Sequence, residues 1–337
     1  MPEIIPPFST TGIGSMPHIH PEEACELILG TFDIPFWPQL PQRFFKESMI
    51  AQYSEGMPYL KINENDRRIF VQRDENDELE RFYESQSDNA RAAISEDFAA
   101  GFHTFLRMIK DKKFKILKGH ITGPLTYTLG LKDSSGRSIF FDEELREIAY
   151  MLLQAKSRWQ IDMLKQNAES VIIFIDEPIF SAIGSSSYLG VDSVEVLRIL
   201  KDAVSAIEDA GGIACIHCCG KADWALVMQS GVRILNFDAY EYFDTIAMYH
   251  NDLRNFLETG GYLAWGMVPT SDVINSLDSG HLAVLMNDNL KKLYEHLPPD
   301  LVVSRILLTP SCGAGSRSIK EADKICKLIM RLKEAMV

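Results

Sequence analysis

Three soft donors stand out in this 337-residue chain: His217 and Cys219 in the stretch IHCCG, and Cys312 in LLTPSCGAG. His217 and Cys219 close the apolar run 213–216, and residues two apart on an extended chain point the same way. Cys312 also ends an apolar run and is followed by glycine. One imidazole and two thiolates suit a soft or borderline divalent ion such as Zn2+, and a site that keeps an exchangeable position serves catalysis. Each residue also has a plainer use, because a free cysteine often packs as a small hydrophobe. The spacing is not that of a CxxC finger. What favours a metal is position, since all three donors stand at the end of a strand.

Positioning such residues requires alternating strands and helices. The clearest buried strand is 171–175 (VIIFI), which stops at Asp176-Glu177-Pro178. Further strands are expected at 11–15, 35–40 (weakened by two prolines), 115–121, 213–216, 232–237, 262–265 and 305–308. Helical spacing covers 21–30, 92–110, 143–165, a segment ending at Ala210 and opened by Asp192 with Glu195, 243–257, 283–297 and 319–335. Residues 59–62 and 68–72, joined by a polar turn, read as a hairpin. They belong to an insertion over about 42–89, while 181–190 (SAIGSSSYLG) reads as a flexible polar loop.

About eight strands, nearly all followed by helices and without a linker-like break, predict a single (β/α)8 TIM barrel over 1–337 with a β-hairpin insertion after the second strand. Active sites in that fold lie at the C-terminal strand ends. Standing there would be Ser15 and His18, His120 and Thr122, Asp176 and Glu177, His217 and Cys219, Asp238 and Glu241, Trp265, and Cys312. His120 is either a proton handler at the mouth or a packed rim residue. Asp176 is either a charged site residue or a helix cap ahead of Pro178.

Composition agrees with an enzyme. Hydrophobic residues make up 46% and charged residues 24%, ordinary for a globular protein. The net charge of -13, without a basic run, disfavours nucleic acid and anionic membrane as partners. No apolar stretch approaches the ~20 residues of a membrane span, and the first residues lack a secretory pattern. Six cysteines, three of them within 215–219, fit metal-binding thiols in a reducing cytoplasm better than a disulfide framework.

Together the HxC at His217 and Cys219, the PSCG at 310–313, the IDEP at 175–178, the GS at Gly14-Ser15 and the ITGP at 121–124 resemble the catalytic domain of the cobalamin-independent methionine synthases. That family belongs to the uroporphyrinogen decarboxylase-like barrel superfamily, and the motifs occur in the family's order over almost the whole chain. The resemblance implies a TIM barrel that binds Zn2+ through His217, Cys219, a carboxylate and Cys312. Asp238 is the closest match for the carboxylate, with Glu241 as the alternative. It also implies that Gly14, Ser15 and Asp176 hold the amino-acid part of homocysteine; Trp265 and His120, from their strand-end positions alone, are further mouth residues for substrate and proton.

The implied reaction moves a methyl group to that thiol, giving methionine. Full-length members carry an additional N-terminal barrel that contributes to folate binding, whereas this chain has one. They also have a catalytic histidine where 265–270 here reads WGMVPT. The donor is therefore left open between a methyl-folate and a methylcorrinoid, the latter on a corrinoid protein. Other readings are a methylcorrinoid-dependent thiol methyltransferase, a uroporphyrinogen decarboxylase-like enzyme, and a non-catalytic zinc-binding partner of a corrinoid protein.

Overall fold

The computed structural model describes residues 5–74, 77–85, 92–183 and 190–337. Most of the loop expected at 181–190, and the end of the insertion expected at 42–89, lie outside the described residues. Among the described residues there are ten strands: β1 (Ser9–Thr10), β2 (Leu60–Asn63), β3 (Arg68–Val71), β4 (Phe114–Thr122), β5 (Lys132–Asp133), β6 (Ala168–Asp176), β7 (Ile213–Cys218), β8 (Ile234–Phe237), β9 (Tyr262–Val268) and β10 (Ile306–Pro310). Seven form one curled, wholly parallel sheet in the order β1-β10-β9-β8-β7-β6-β4. Except at the β1 edge, neighbours in the sheet are neighbours among its strands in sequence, as right-handed β-α-β crossovers require.

This sheet is not a closed barrel, and the eight-stranded expectation is corrected to that extent. The expected first strand is reduced to Ser9–Thr10, and 35–40 forms no strand. Phe36 instead makes one isolated bridge to Lys118 on β4, and Gln39 makes one to Ser15 beyond β1. Pro35 and Pro38 explain this, because a proline has no N–H to donate to a ladder. Both edges of the opening thus touch this segment without a continuous ladder.

The two faces of the sheet are packed differently. Ile116, Ile172, Phe174, Cys215, Ile234 and Ala264 form an inner cluster, while a larger core lies between the outer face and the helices. Both faces are buried, which is why the strands read as near-continuous apolar runs. The helix Glu143–Lys165 falls on its expected bounds, started by Asp142, whose carboxylate accepts from Leu145 N. Asp192 caps the helix Ser193–Asp209 as expected, but Glu195 turns to Arg198 instead of closing a capping box. Helix 92–110 begins only at Ala100, since Ser95 N donates to Glu55 and Phe98 O accepts from Gln52.

The expected hairpin is present, with β2 and β3 antiparallel and β5 added parallel to β3. Ahead of it, the helix Met49–Tyr53 is fastened to the C-terminal end of β4: Tyr53 OH donates to His120 O at 2.7 Å and Thr122 Oγ1 donates to Met49 O at 2.6 Å. Among the described residues, no helix is long and apolar enough to cross a membrane.

Candidate metal centre

Strand alternation decides which cysteine joins His217. Cys215 lies in the inner cluster, so His217 and the residue after the strand, Cys219, continue that face. Cys218 points to the outer core, its Sγ 3.7 Å from Gly220 O. Cys312 comes from the turn after β10. The ligand atoms of His217, Cys219 and Cys312 all lie within 4.8 Å of one another, and His217 is buried. Three residues up to 95 positions apart are thus gathered by the curl of the sheet.

The polar surroundings suit a cation. Burial alone would depress His217, but a hydrogen bond to Cys219 and the charges of Asp176 and Cys219 hold it above its usual range. A hydrogen bond from Cys312 pulls the Cys219 thiol down, aided by His217 and opposed by burial. Cys312 moves the opposite way, through the same bond and through burial. The shared bond thus favours the thiolate on Cys219 and the proton on Cys312. Two sulfurs beside one imidazole could hold a metal ion, the donor set that some zinc sites use while keeping a fourth position open.

Asn236 was not singled out by sequence reasoning. It is fully buried on β8 directly opposite His217, and its Oδ1 pairs with His217 Nδ1. Its Nδ2 donates to Ala264 O and to Thr309 Oγ1, each at 2.8 Å. The available signal was an amide inside the apolar run ILNF, in step with Asp238.

The expected carboxylates are not in the cluster. Asp238 is raised to about 6 by burial, and its Oδ1 accepts from Tyr240 N and Glu241 N, both at 2.9 Å. Those bonds fold the carboxylate onto its own turn, and neither Asp238 nor Glu241 belongs to the three-donor group.

Asp176 ends β6 opposite both Thr122 and His217. It is buried with Oδ1 lacking a protein partner, and burial raises it to about 6 against the pull of His217 and Lys118. Asp176 makes no cap ahead of Pro178, where the turn Pro178–Ser181 has no side-chain cap, and Glu177 accepts from Leu125 N (2.9 Å) and Thr126 N (2.8 Å) at the start of a different helix, Pro124–Gly130. Ser15 Oγ accepts from Gly315 N at 3.3 Å, and Ser15 O from Ala314 N at 2.9 Å, so the turn after Cys312 wraps Ser15.

His120 is buried and stacked on Trp37 at 3.9 Å between ring centroids. Neither ring nitrogen has a protein partner, and a side chain on Gly14 would press on Nδ1 at 2.8 Å. Burial, helped by Lys118, pushes His120 far below its usual range, so it is a neutral imidazole. His18 is also buried, and burial lowers it.

Lys118 was missed as well. Two residues before His120 and fully buried, it donates from Nζ to Ile13 O and sits 4.2 Å from the Phe174 ring centroid. Trp265 corrects the expectation of a mouth residue. Its neighbour Ala264 is in the inner cluster, so Trp265 points outward, fully buried, with Phe237 and Phe243 at ring-centroid distances of 5.9 and 5.4 Å.

Neither a family model nor a curated protein matches the chain. Among solved structures, it is similar to a B12-independent methionine synthase from Shewanella sp. W3-18-1 in complex with selenomethionine. The TM-score is 0.59 at 14% identity, and 97% of each chain is covered. That likeness shows a related fold. A xylanase B from Clostridium stercorarium F9 is similar at a TM-score of 0.38 over 65% of this chain and 73% of its own, at 14% identity, too low to carry an argument.

Proposed function

We propose that this chain is a zinc-dependent methyltransferase that moves a methyl group to a thiol, with homocysteine as the acceptor and methionine as the product. One observation carries the reading: an imidazole nitrogen and two sulfurs lie within 4.8 Å of one another at the strand ends, with no fourth ligand in the group among the described residues. The similarity in fold to a methionine synthase supports it. The same reading takes 1–337 as one cytoplasmic barrel domain, with 34–39 in place of its missing strand.

His217, Cys219 and Cys312 would hold the zinc. When bound, zinc lowers the pKa of a coordinated thiol so that the nucleophilic thiolate exists at neutral pH. Cys219, whose thiol is drawn down, is the readier thiolate donor, and Cys312, whose thiol is pushed up, must give up a proton to join it. Asp176, with Oδ1 unused by the protein, receives the acceptor's ammonium group, a charge-assisted bond. Ser15 and Gly14 hold the remainder of the amino-acid moiety. Burial around His217 and Asp176 keeps water from competing for the thiolate. The methyl donor is a methyl-folate or a methylcorrinoid.

The test is metal analysis of the purified chain, followed by homocysteine with a methyl-folate and with a methylcorrinoid, free and on a corrinoid protein. About one zinc per chain and methionine from at least one donor are expected. A chain that binds no zinc, or binds it and methylates no thiol, removes the proposal.

A further inference from the structure

The Asn236 side chain can adopt only one useful orientation. Ala264 O, 2.8 Å away, is a carbonyl oxygen and can only accept, so the amide nitrogen must face it. Thr309 Oγ1 takes the second N–H. The amide oxygen is then left for His217 Nδ1, and an oxygen beside a ring nitrogen requires the proton on that nitrogen. Neutral His217 therefore carries its proton on Nδ1, and its Nε2 lone pair is left for the side where the two sulfurs lie. The choice of tautomer on β7 is made by a carbonyl on β9, through a side chain on β8.

The same amide ties the two halves of the donor set together. Thr309 stands on β10 three residues before Cys312, and His217 stands two before Cys219. Asn236, His217, Ala264 and Thr309 are all buried, so water does not compete for these bonds. Asn236 is otherwise a poor choice for the middle of a parallel strand, where an apolar residue costs nothing to bury.

We infer that Asn236 is a positioning residue for the metal: it fixes the His217 tautomer and ring plane and holds the β7 and β10 donors in register. The inference rests on the zinc reading above. Metal-bound histidines are commonly oriented by an acceptor on the other ring nitrogen, and losing such a partner costs about 10- to 100-fold in affinity.

The test uses the full chain, with Zn2+ affinity measured by chelator competition and Co2+ substitution read by absorption spectroscopy. Asn236→Leu removes the acceptor and both N–H donors at similar volume, and Asn236→Asp keeps only the acceptor for His217 Nδ1, giving up the N–H groups that Ala264 O and Thr309 Oγ1 take. Expected are Zn2+ binding by Asn236→Leu weakened about 10- to 100-fold, a changed sulfur-to-cobalt absorption band, and Asn236→Asp weakened as well, by less than Asn236→Leu. Thermal melts separate folding from positioning, because a purely structural role lowers Tm while the affinity of the folded chain and the cobalt band stay the same. Should Asn236→Leu not fold, Asn236→Asp decides: a folded variant with weakened Zn2+ affinity and a changed cobalt band supports the inference, and one with wild-type affinity and an unchanged band overturns it. Equal Zn2+ affinity in wild type and Asn236→Leu overturns this inference alone. A wild type that takes up neither ion overturns the zinc reading and this inference together.

Discussion

Gly313 leaves no room for a side chain beside Ser15: a Cβ atom there would overlap Ser15 Oγ. Gly315 is nearly as tight, with a Cβ 2.9 Å from the Ser15 Cβ. The turn that carries Cys312 and the segment that carries Ser15 can meet only because both positions are glycine.

Gly313→Ala must therefore push Ser15 aside. Overpacking of this kind costs about 1–3 kcal/mol, read by urea denaturation. Losing one placed hydrogen bond to the acceptor should raise KM for homocysteine roughly tenfold. Wild-type stability together with an unchanged KM would show that the cradle has no role.

The two kinds of expected metal ligand should separate by substitution. Cys219→Ser removes a sulfur donor and should leave little or no zinc in the purified chain. Asp238→Asn keeps an oxygen for Tyr240 N and Glu241 N, the bonds it makes now. Its zinc content should match wild type. Zinc loss in Asp238→Asn would make this carboxylate a ligand after all.

Glu47 provides a pH test away from the metal. Its carboxyl is buried with Oε2 unpartnered, and burial raises it from 4.5 to about 7 despite the 2.9 Å ion pair with Arg43. A carboxyl raised on folding contributes stability that is complete below its unfolded pKa and is lost as pH rises through its folded one. The stability of wild type relative to Glu47→Gln should fall by about 3 kcal/mol between pH 4.5 and pH 8, at ~1.4 kcal/mol per pH unit. Denaturation curves across that range check the sign, and a constant difference rejects it.

Trp265 should matter for folding and not for the site. Removing a fully buried indole costs about 3–5 kcal/mol, so Trp265→Ala should unfold much more easily. Trp265→Phe gives up the unpartnered Nε1 donor and keeps most of the packing, with zinc content and KM for homocysteine unchanged. A raised KM in Trp265→Phe would return this residue to the mouth.

Much of this was legible in the chain. The run VIIFI, the 23-residue helix from Glu143 and the pairing of His217 with Cys219 follow from local periodicity, which needs no partner to be read. Alternation also puts Cys218 on the other face. Cys312 was readable as a donor because its strand ends in the same way.

Tertiary structure decided the rest, for reasons that no local pattern contains. Trp265 faces the helices, and 35–40 bridges both sheet edges without becoming a strand. Each outcome depends on which group lies across the gap, and that is set by the curl of seven strands. Asn236 shows this most directly: its residue type is visible in ILNF, but its orientation comes from Ala264 and Thr309 on two other strands. Sequence alone determined which atoms could bind a metal, and packing determined which of them meet, because burial forces every polar group inside to find a partner wherever the fold provides one.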